Sequence, residues 1–230
     1  MIISKTPYRV SLFGGSTDYQ SFYHKHGSLL IGLAIDKYCY ISLRHTPPIF
    51  KHKSLLTYCR SEKVDDNSQI KHDGIRGVLQ YMNVDYGVEM NHMSDLPAQT
   101  GIGSSSSFIV GLLNAALKLE GRETTPKALA QQAIYIERHL LNEAGGIQDQ
   151  IWAAHGGFNS ISINTKGDIK IRPLPISCEF KEEFIKRSHL IFTGQTRKSF
   201  DVAKSHDNID AEEIKLKMLS LANEAYTEFS

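Results

Sequence analysis

Apolar and polar residues alternate in several stretches of the chain, and this two-residue period predicts β-strands. Before residue 94 the alternation covers residues 8–13 and 84–93, and between them residues 29–43 favour strands because they are dense in Ile, Leu, Tyr and Cys. Asp36 and Lys37 indicate a turn inside residues 29–43, so we expect a pair of strands there. Further along, residues 158–164 and 169–174 flank a polar turn and predict a hairpin, and residues 189–193 predict another strand.

Other stretches have the composition and spacing of helices. They are residues 74–82, 108–119, 124–141, 147–155 and 209–229. Thr125 offers an N-cap and Pro126 suits a first turn, while Gly145 and Gly146 interrupt the helical pattern. Strands and helices are mixed along the chain, which predicts the α+β class. Residues 46–72 are polar and mixed in charge, and they favour no element.

A loop rich in glycine and serine joins a predicted strand to a predicted helix over residues 96–108. The first amides of a helix lack intrahelical partners and lie at the positive end of its dipole, so they suit a phosphate group. The loop is not a dinucleotide fingerprint, because Ser106 stands where the third glycine belongs, and it lacks the Gly-Lys-Ser/Thr triplet of a P-loop. It is either another kind of phosphate cradle or a flexible surface connection.

The charge balance excludes some classes of partner. The 230 residues carry 26 basic and 25 acidic side chains, and the ten tyrosines and ten phenylalanines are not interleaved with basic clusters. We therefore expect no nucleic-acid partner, and any site for an anion must be local. The ten histidines lack the paired spacing of a metal site.

Cys39, Cys59 and Cys178 are odd in number and widely spaced, which predicts free thiols in a reducing compartment. The first residues have neither the apolar segment of a signal peptide nor the length of a membrane helix. We therefore expect a cytoplasmic protein with no membrane partner, and we predict no particular oligomeric state.

Three motifs occur in the order that they have in the GHMP kinases, the superfamily named for galactokinase, homoserine kinase, mevalonate kinase and phosphomevalonate kinase. Residues 7–19 resemble its amino-terminal sugar-recognition motif, residues 97–106 its nucleotide-binding signature, and residues 145–150 its catalytic-aspartate motif. The double glycine of the first motif and the Gln-Asp-Gln triplet of the third are most similar to the D-glycero-D-manno-heptose 7-phosphate kinases of that superfamily.

The resemblance implies the GHMP kinase fold, in which a domain like ribosomal protein S5 domain 2 precedes a ferredoxin-like domain. Residues 1–175 are then the nucleotide- and sugar-binding domain, and residues 176–230 are only the start of a truncated carboxyl-terminal domain. The family's third glycine-rich motif is missing from this sequence. We therefore expect a fragment or a shortened protein, in which an open cleft favours weak activity, self-association or poor solubility.

The resemblance also implies roles for individual residues. Asp149 is similar to the family's catalytic base and Arg9 to an arginine that offsets charge on the transferring phosphoryl group. Without the resemblance, a helix cap or solvated carboxylate and a strand-edge ion pair are their alternative roles. Ser105 and Glu137 are similar to the family's magnesium ligands, with Glu143 as the competing acid. The nucleotide-binding set is Pro97, Gly101, Ile102, Gly103, Ser104, Ser105 and Ser106.

The implied substrate-binding set has two parts. Asp18 is similar to a carboxylate that holds two sugar hydroxyls, and its alternative role is to cap the following helix. Residues 192–198 resemble a segment of the heptose kinases that offers hydroxyls and cations to a substrate phosphate, or else they form an exposed turn. The full set is Gly14, Gly15, Ser16, Thr17, Asp18, Tyr19, Gln148, Thr193, Thr196 and Arg197.

Together these roles predict a sugar kinase that depends on ATP and Mg²⁺ and phosphorylates the anomeric hydroxyl of D-glycero-D-manno-heptose 7-phosphate, for the synthesis of bacterial surface polysaccharide. One alternative keeps the fold and changes the substrate to fucose, galactose or another hexose. A second alternative is a non-catalytic protein that binds nucleotide or sugar, because the third motif is missing.

Overall fold

The computed structural model describes residues 1–194 and 209–229. Within these residues the strands are β1 Ile2–Phe13, β2 Ser28–His45, β3 Ser54–Thr57, β4 Ser61–Val64, β5 Val88–Ser94, β6 Phe158–Ile163 and β7 Ile169–Pro173. The helices are α1 Gln20–His26, α2 Asp73–Tyr81, α3 Ser104–Leu119, α4 Pro126–Tyr135, α5 Gln148–His155, α6 Cys178–Arg187 and α7 Ile209–Phe229. A 3₁₀ turn covers Asn67–Gln69, and a π-helical segment, Ile136–Leu140, directly follows α4.

The chain forms two compact units. The first unit comprises Met1–Arg9 and Ala34–Gly156, and the second comprises Val10–Leu33 and Gly157–Ser230. Strands β1 and β2 therefore contribute residues to both units. The domain boundary that the resemblance implies at residue 175 stays a prediction.

The first unit is built on the carboxyl-terminal part of β2, which pairs antiparallel with β5 from Cys39↔Ser94 to His45↔Val88. Strand β3 runs parallel to β5 and antiparallel to β4. Helices α2, α3, α4 and α5 pack on one another, and their apolar side chains join those of the strands in the core. Residues 106–113 of α3 are all buried, which is typical of a helix surrounded by protein.

Strand β1 lies close to α3 at Gly111. A Cβ atom at this position would lie 2.7 Å from Thr6 Oγ1 and 3.3 Å from Ser4 Oγ. Both side chains are buried, so neither can move away freely. Because Gly111 has no side chain, β1 can run alongside the first turns of α3, where Ser107 Oγ donates to the carbonyl of Pro7 at 2.8 Å.

We expect Gly111→Ala to lower the free energy of unfolding by about 1–3 kcal/mol, through overpacking against Thr6. A loss of stability here is informative, because a glycine-to-alanine change inside a helix otherwise raises the free energy of unfolding by roughly 1 kcal/mol. Chemical denaturation of the single variant and of the Gly111→Ala/Thr6→Ala double variant measures the effect. The double variant should recover part of the loss, and a stabilised single variant would show that β1 does not approach α3 in this way.

Besides the last residues of β1, the described part of the second unit contains the amino-terminal part of β2 and the strands β6 and β7. The amino-terminal part of β2 pairs with β6 from Ser28↔Ile163 to Leu33↔Phe158, and β6 pairs with β7. Four phenylalanine rings join β6 to α6 and α7, with the centroids of contacting rings 5.8–6.2 Å apart. They belong to Phe158, Phe180, Phe184 and Phe229.

Most of the elements predicted from the sequence are present, including the β6–β7 hairpin and the mixed class. The turn predicted at Asp36 and Lys37 is wrong, because β2 runs through both residues as one strand whose two ends pair with different partners. The strand predicted at residues 189–193 is also wrong. These residues have no regular structure, and the apolar side chains of Leu190 and Ile191 are exposed.

Two sequence expectations concern membranes and thiols. No helix in the ranges 1–194 and 209–229 is both long enough and apolar enough to cross a lipid bilayer. The three cysteines are free, as the sequence predicts. Cys39 is buried, and burial raises the pKa of its thiol to about 12, so this thiol is unreactive.

Candidate functional site

The glycine- and serine-rich loop ends at the amino terminus of α3. Gly103 is the N-cap, with a left-handed backbone (φ 76°), and no side chain in the described part of the chain caps this end of the helix. The first hydrogen bond of this turn runs from Ser107 N to the carbonyl of Gly103 at 2.9 Å. The amides of residues 104–106 therefore remain available as donors at the positive end of a 16-residue helix.

Arg9 and Asp149 form an ion pair beside this helix start. Arg9 Nη2 lies 2.7 Å from Asp149 Oδ1, and Arg9 Nε donates to the same oxygen at 2.8 Å. Arg9 also donates from Nη1 to the carbonyl of Gly101 at 2.7 Å and from its backbone N to the carbonyl of Ile102 at 3.1 Å. One side chain thus connects strand β1, the loop and the first turn of α5, where Asp149 lies.

Gly103 lets this ion pair lie against the helix start. A Cβ atom at Gly103 would lie 3.3 Å from Arg9 Cγ and 3.4 Å from Asp149 Cγ and Oδ2. A Cβ atom at Gly101 would have no heavy atom within 4 Å in the described residues, although its backbone is left-handed as well (φ 78°). Both positions favour glycine because their backbones are left-handed, and at Gly103 a side chain would also crowd Arg9 and Asp149.

Glu137 is fully buried behind the loop. Its Oε2 accepts hydrogen bonds from Ser106 Oγ at 3.0 Å, from Arg138 Nη2 at 3.2 Å and from Gln150 Nε2. Its Oε1 is buried and has no hydrogen-bond partner among the residues that the structure describes. Burial raises the pKa of Glu137 to about 7, although the Arg138 guanidinium acts in the opposite direction.

The π-helical segment gives Glu137 its inward direction. The sequence predicts a continuous helix to residue 141, but α4 ends at Tyr135. The following turn widens, with Leu141 N bonded to Ile136 O at 2.9 Å across five residues. Wide turns of this kind are rare and are frequent at functional sites.

The structure places the two predicted magnesium ligands differently. Ser105 is exposed on the first turn of α3, whereas the neighbouring Ser106 hydroxyl is the one that contacts Glu137. Glu143, the competing acid, has its backbone carbonyl bonded to Arg138 Nη1 at 2.6 Å. Over residues 1–194 and 209–229, no three His, Cys, Asp or Glu side chains form a group that could hold a metal ion. The roles of Ser105 and Glu137 stay predictions.

The remaining nucleotide-binding residues lie along the same loop. Pro97 is exposed and its carbonyl accepts a bond from Thr100 Oγ1 at 2.9 Å, whereas Ile102 is buried. The first unit thus brings together Arg9, the loop, Glu137 and Asp149. Sequence reasoning missed Ser106, Arg138 and Gln150 as the residues around Glu137. Gln150 belongs to the Gln-Asp-Gln triplet, so the third motif could have indicated that it lies at the site.

The second unit contains the sugar-recognition motif. Thr17 and Asp18 are fully buried, and Thr17 Oγ1 donates to the carbonyl of Gly14 at 2.7 Å. The alternative role of Asp18 as a helix cap is wrong, since α1 begins at Gln20 with Tyr19 as an N-cap that makes no side-chain hydrogen bond. Lys215 of α7, which sequence reasoning missed, is 6% exposed and places its ammonium 4.9 Å from the Tyr19 ring centroid.

The other members of the substrate-binding set are dispersed. Gly15 and Ser16 lie in the turn before α1, and Ser16 has a left-handed backbone (φ 67°). Gln148 is buried at the start of α5 in the first unit. Thr193 is exposed outside any regular element. Thr196 and Arg197, like Lys198, lie outside the described residues.

Residues 73–157 match the family model described as the GHMP kinases N terminal domain. The chain contains a GHMP kinase N-terminal domain. This domain holds the loop, α3, Glu137 and Asp149, whereas Arg9 reaches it from β1.

Curated relatives agree with the GHMP kinase assignment. The chain is 28% identical over 210 residues to D-glycero-alpha-D-manno-heptose 7-phosphate kinase of Campylobacter jejuni, covering 87% of this chain and 62% of that protein. It is 27% identical to galactokinase of Chloroflexus aurantiacus, over 77% and 46% of the two chains, and 32% identical to homoserine kinase of Staphylococcus haemolyticus, over 50% and 38%. The chain thus spans less than two thirds of the length of these relatives.

Solved structures show that the whole described fold is a GHMP kinase fold. A D-glycero-D-manno-heptose 1-phosphate kinase from Bacteroides thetaiotaomicron superposes with a TM-score of 0.77 at 23% identity, covering 100% of this chain and 76% of that one. Galactokinase of Lactococcus lactis, solved with galactose, has a TM-score of 0.65 at 15% identity, covering 99% and 70%. At these identities the likeness concerns the fold alone.

Substitution of the adjacent residues Ser105 and Ser106 of the GHMP kinase domain tests the contact between Ser106 and Glu137. We expect Ser106→Ala to lower the free energy of unfolding by about 1–2 kcal/mol, because a buried carboxyl group loses a hydrogen-bond donor. Ser105→Ala, at an exposed position, should change it by less than about 0.5 kcal/mol. Both variants gain the same helix propensity, so denaturant titration isolates the contact. Equal losses in the two variants would mean that Ser106 does not contact Glu137.

Proposed function

We propose that this protein is an ATP-dependent sugar kinase that phosphorylates the anomeric hydroxyl of D-glycero-D-manno-heptose 7-phosphate, giving the 1,7-bisphosphate. The observation that carries the proposal is the Arg9–Asp149 ion pair, which lies against the uncapped start of α3. A phosphate-binding helix end, a fixed cation and a carboxylate are thereby assembled in one place. These are the groups that phosphoryl transfer requires.

The loop and α3 supply the anion-binding part of the mechanism. The amides of Ser104, Ser105 and Ser106 are available donors, and the helix dipole adds partial positive charge where they point. The guanidinium and backbone amide of Arg9 make four contacts with Asp149, Gly101 and Ile102, which hold the cation in place. This arrangement stabilises negative charge without reorganisation during the reaction.

Asp149 supplies the proton acceptor. Among the described residues both side-chain contacts from Arg9 go to Oδ1, which leaves Oδ2 able to accept a hydrogen bond from a sugar hydroxyl. A carboxylate within hydrogen-bond reach can orient that hydroxyl and accept its proton as it attacks. The two contacts from Arg9 fix the direction of the carboxylate.

The residues present fit a divalent cation. Glu137 Oε1 is a buried acceptor without a partner among the described residues, and the Ser105 hydroxyl is exposed on the helix that begins at the loop. We propose that these two residues would hold magnesium, as the resemblance implies. When bound, the ion would supply positive charge to the phosphates. The desolvated Glu137 carboxyl group, whose pKa is raised to about 7, would gain a second positive partner beside Arg138.

We assign the sugar to residues 14–19 on the resemblance, with Asp18 as the group that accepts hydrogen bonds from its hydroxyls. Its carboxylate is fully buried, and its charge contributes, after burial, to the raised pKa of Tyr23. Thr193, Thr196 and Arg197 are proposed contacts for the substrate's own phosphate. We place the reaction in the cytoplasm, because free thiols suit a reducing compartment.

The names of the relatives support a heptose phosphate as the substrate, and they also support a second candidate substrate. Heptose phosphate kinases occur among both the sequence relatives and the solved structures. Galactokinases occur in both as well, which supports galactose or another hexose as the second candidate substrate. The two candidates differ in the 7-phosphate as well as in chain length and ring configuration, so they can be separated directly by assay.

ADP release with heptose 7-phosphate, galactose and homoserine as acceptors tests the proposed substrate. We expect the highest kcat/KM with heptose 7-phosphate. A preference for galactose would support the second candidate and contradict the phosphate-binding role of Arg197. Background turnover with all three acceptors, together with retained ATP binding, would support a non-catalytic binding protein instead.

The role of Asp149 is tested in the same assay. Asp149→Asn keeps the size of the side chain and removes its basic carboxylate, so we expect kcat to fall by roughly 10²–10⁴-fold. Asp36→Asn is the matched control, because this carboxylate is 88% exposed and contacts only Lys37 among the described residues. A kcat for Asp149→Asn within a few fold of the control would contradict the role of Asp149 as proton acceptor.

The two loop glycines separate backbone strain from contact with the ion pair. Gly101→Ala and Gly103→Ala both place a side chain at positive φ, but only the second would crowd Arg9 and Asp149. We expect kcat/KM to fall at least roughly tenfold further in Gly103→Ala, because small displacements of catalytic groups are costly. Equal activities in the two variants would exclude a role for this close contact.

A further inference from the structure

Tyr8 contacts the start of the nucleotide loop from strand β1. It is 1% exposed and immediately precedes Arg9, and its hydroxyl oxygen lies 2.5 Å from Ser94 Oγ. Ser94 is the last residue of β5, so it is the point at which the chain leaves the sheet and enters the loop. The contact therefore joins β1 to the end of β5, where the nucleotide loop begins.

The proton arrangement makes Tyr8 the donor in this contact. Ser94 Oγ donates to the carbonyl of Leu96 and accepts from Leu96 N at 3.3 Å. A serine hydroxyl has one proton, so its bond to Leu96 requires that the Tyr8 hydroxyl donate to Ser94. Burial raises the pKa of Tyr8 to about 12, and Tyr8 therefore keeps the proton it donates.

The path of the loop depends on how its ends are held. Gln99, Gly101 and Gly103 all have left-handed backbones, and this conformation costs free energy at Gln99, which has a Cβ atom. Within the loop, over residues 97–103, the Thr100 hydroxyl donates a hydrogen bond to the carbonyl of Pro97. The far end is held by Arg9, through the carbonyls of Gly101 and Ile102. Tyr8, the preceding residue of β1, holds the near end through Ser94.

We propose that Tyr8 is a positioning residue for the nucleotide loop: its hydroxyl, acting through Ser94, fixes the start of the loop so that the amides of residues 104–106 are preorganised for a nucleotide phosphate. The inference rests on the proposed function, since it assumes that these amides bind ATP. It assigns a role to Tyr8 that the sequence motifs do not give. Adjacent residues of β1, Tyr8 and Arg9, thereby hold opposite ends of one loop.

Tyr8→Phe removes one hydroxyl group and keeps the buried ring. We expect the Kd for ATP with Mg²⁺, measured by calorimetry, to rise roughly three- to tenfold, which is the effect of losing one hydrogen bond. KM for ATP should rise in the same proportion, with KM for the sugar unchanged. In the nucleotide-free protein, amide hydrogen exchange over residues 95–103 should become faster.

Tyr86→Phe is the matched control. The Tyr86 hydroxyl donates to Glu120 Oε1 at 3.1 Å, and Glu120 follows the last residue of α3, roughly 24 Å from the start of the helix. The control likewise loses one tyrosine hydroxyl bond, here an exposed one, and should leave ATP binding and exchange over residues 95–103 unchanged. Ser94→Ala is the second test variant. It should match Tyr8→Phe, and the two changes together should have less than the sum of their effects.

An ATP affinity for Tyr8→Phe equal to that of Tyr86→Phe would overturn the inference, even if exchange over the loop were faster. If the unsubstituted protein binds no ATP, the proposed function fails and the inference fails with it. Failure of Tyr8→Phe alone, with normal ATP binding and turnover in the unsubstituted protein, leaves the proposed function intact. The two claims are thereby tested separately.

Discussion

The Arg9–Asp149 ion pair, lying against Gly103, is the contact on which the candidate site depends. It is possible because strand β1 runs alongside α3, which in turn requires the absence of a side chain at Gly111. The guanidinium of Arg9 then reaches the carbonyls of the loop and the carboxylate at the start of α5 together. Partly buried charges of this kind are tolerated when they are paired and hydrogen-bonded, so the geometry of the loop and the stability of the pair support each other.

The two carboxyl groups of the first unit have different environments, and this difference suits different roles. Asp149 is partly exposed and paired with Arg9 through Oδ1, and its Oδ2 can accept a hydrogen bond. Glu137 is buried in a π-helical segment, and burial raises its pKa. Pairs of titratable groups with contrasting environments are typical of sites that separate proton transfer from charge stabilisation. The wide turn is what directs Glu137 toward Ser106 and Gln150 rather than to the surface.

Local pattern predicted the elements whose own residues determine them. The β6–β7 hairpin, α2 and the Thr125 cap of α4 follow from alternation, helical spacing and capping chemistry. Features that depend on a distant partner could not be predicted. Strand β2 continues through Asp36 because its ends pair with two different strands. Residues 189–193 pair with no strand in the described part of the chain, although their composition suits a strand. The π-helical turn has no sequence pattern of its own.

For the candidate site, the motifs identified Arg9, Asp149 and the loop, and the structure places them in contact. Residues outside the motifs could not be found in this way. Arg138 and Lys215 lie outside the motifs, and their contacts with Glu137 and with the Tyr19 ring follow from the folded structure. Tyr8 lies inside the first motif, but its contact with Ser94 of β5 depends on tertiary packing. The choice between Ser105 and Ser106 as the neighbour of Glu137 depends on the rotation of α3 about its axis, which adjacent serines do not reveal.

The central claim is that the start of α3 holds the phosphates of a nucleotide beside Arg9 and Asp149. A crystal structure of the protein with Mg²⁺ and a non-hydrolysable ATP analogue tests it most directly. We expect phosphate oxygens within hydrogen-bond distance of the amides of residues 104–106, with the Arg9–Asp149 pair adjacent to the terminal phosphate. An analogue bound elsewhere, or bound with its phosphates directed away from this helix start, would contradict the claim.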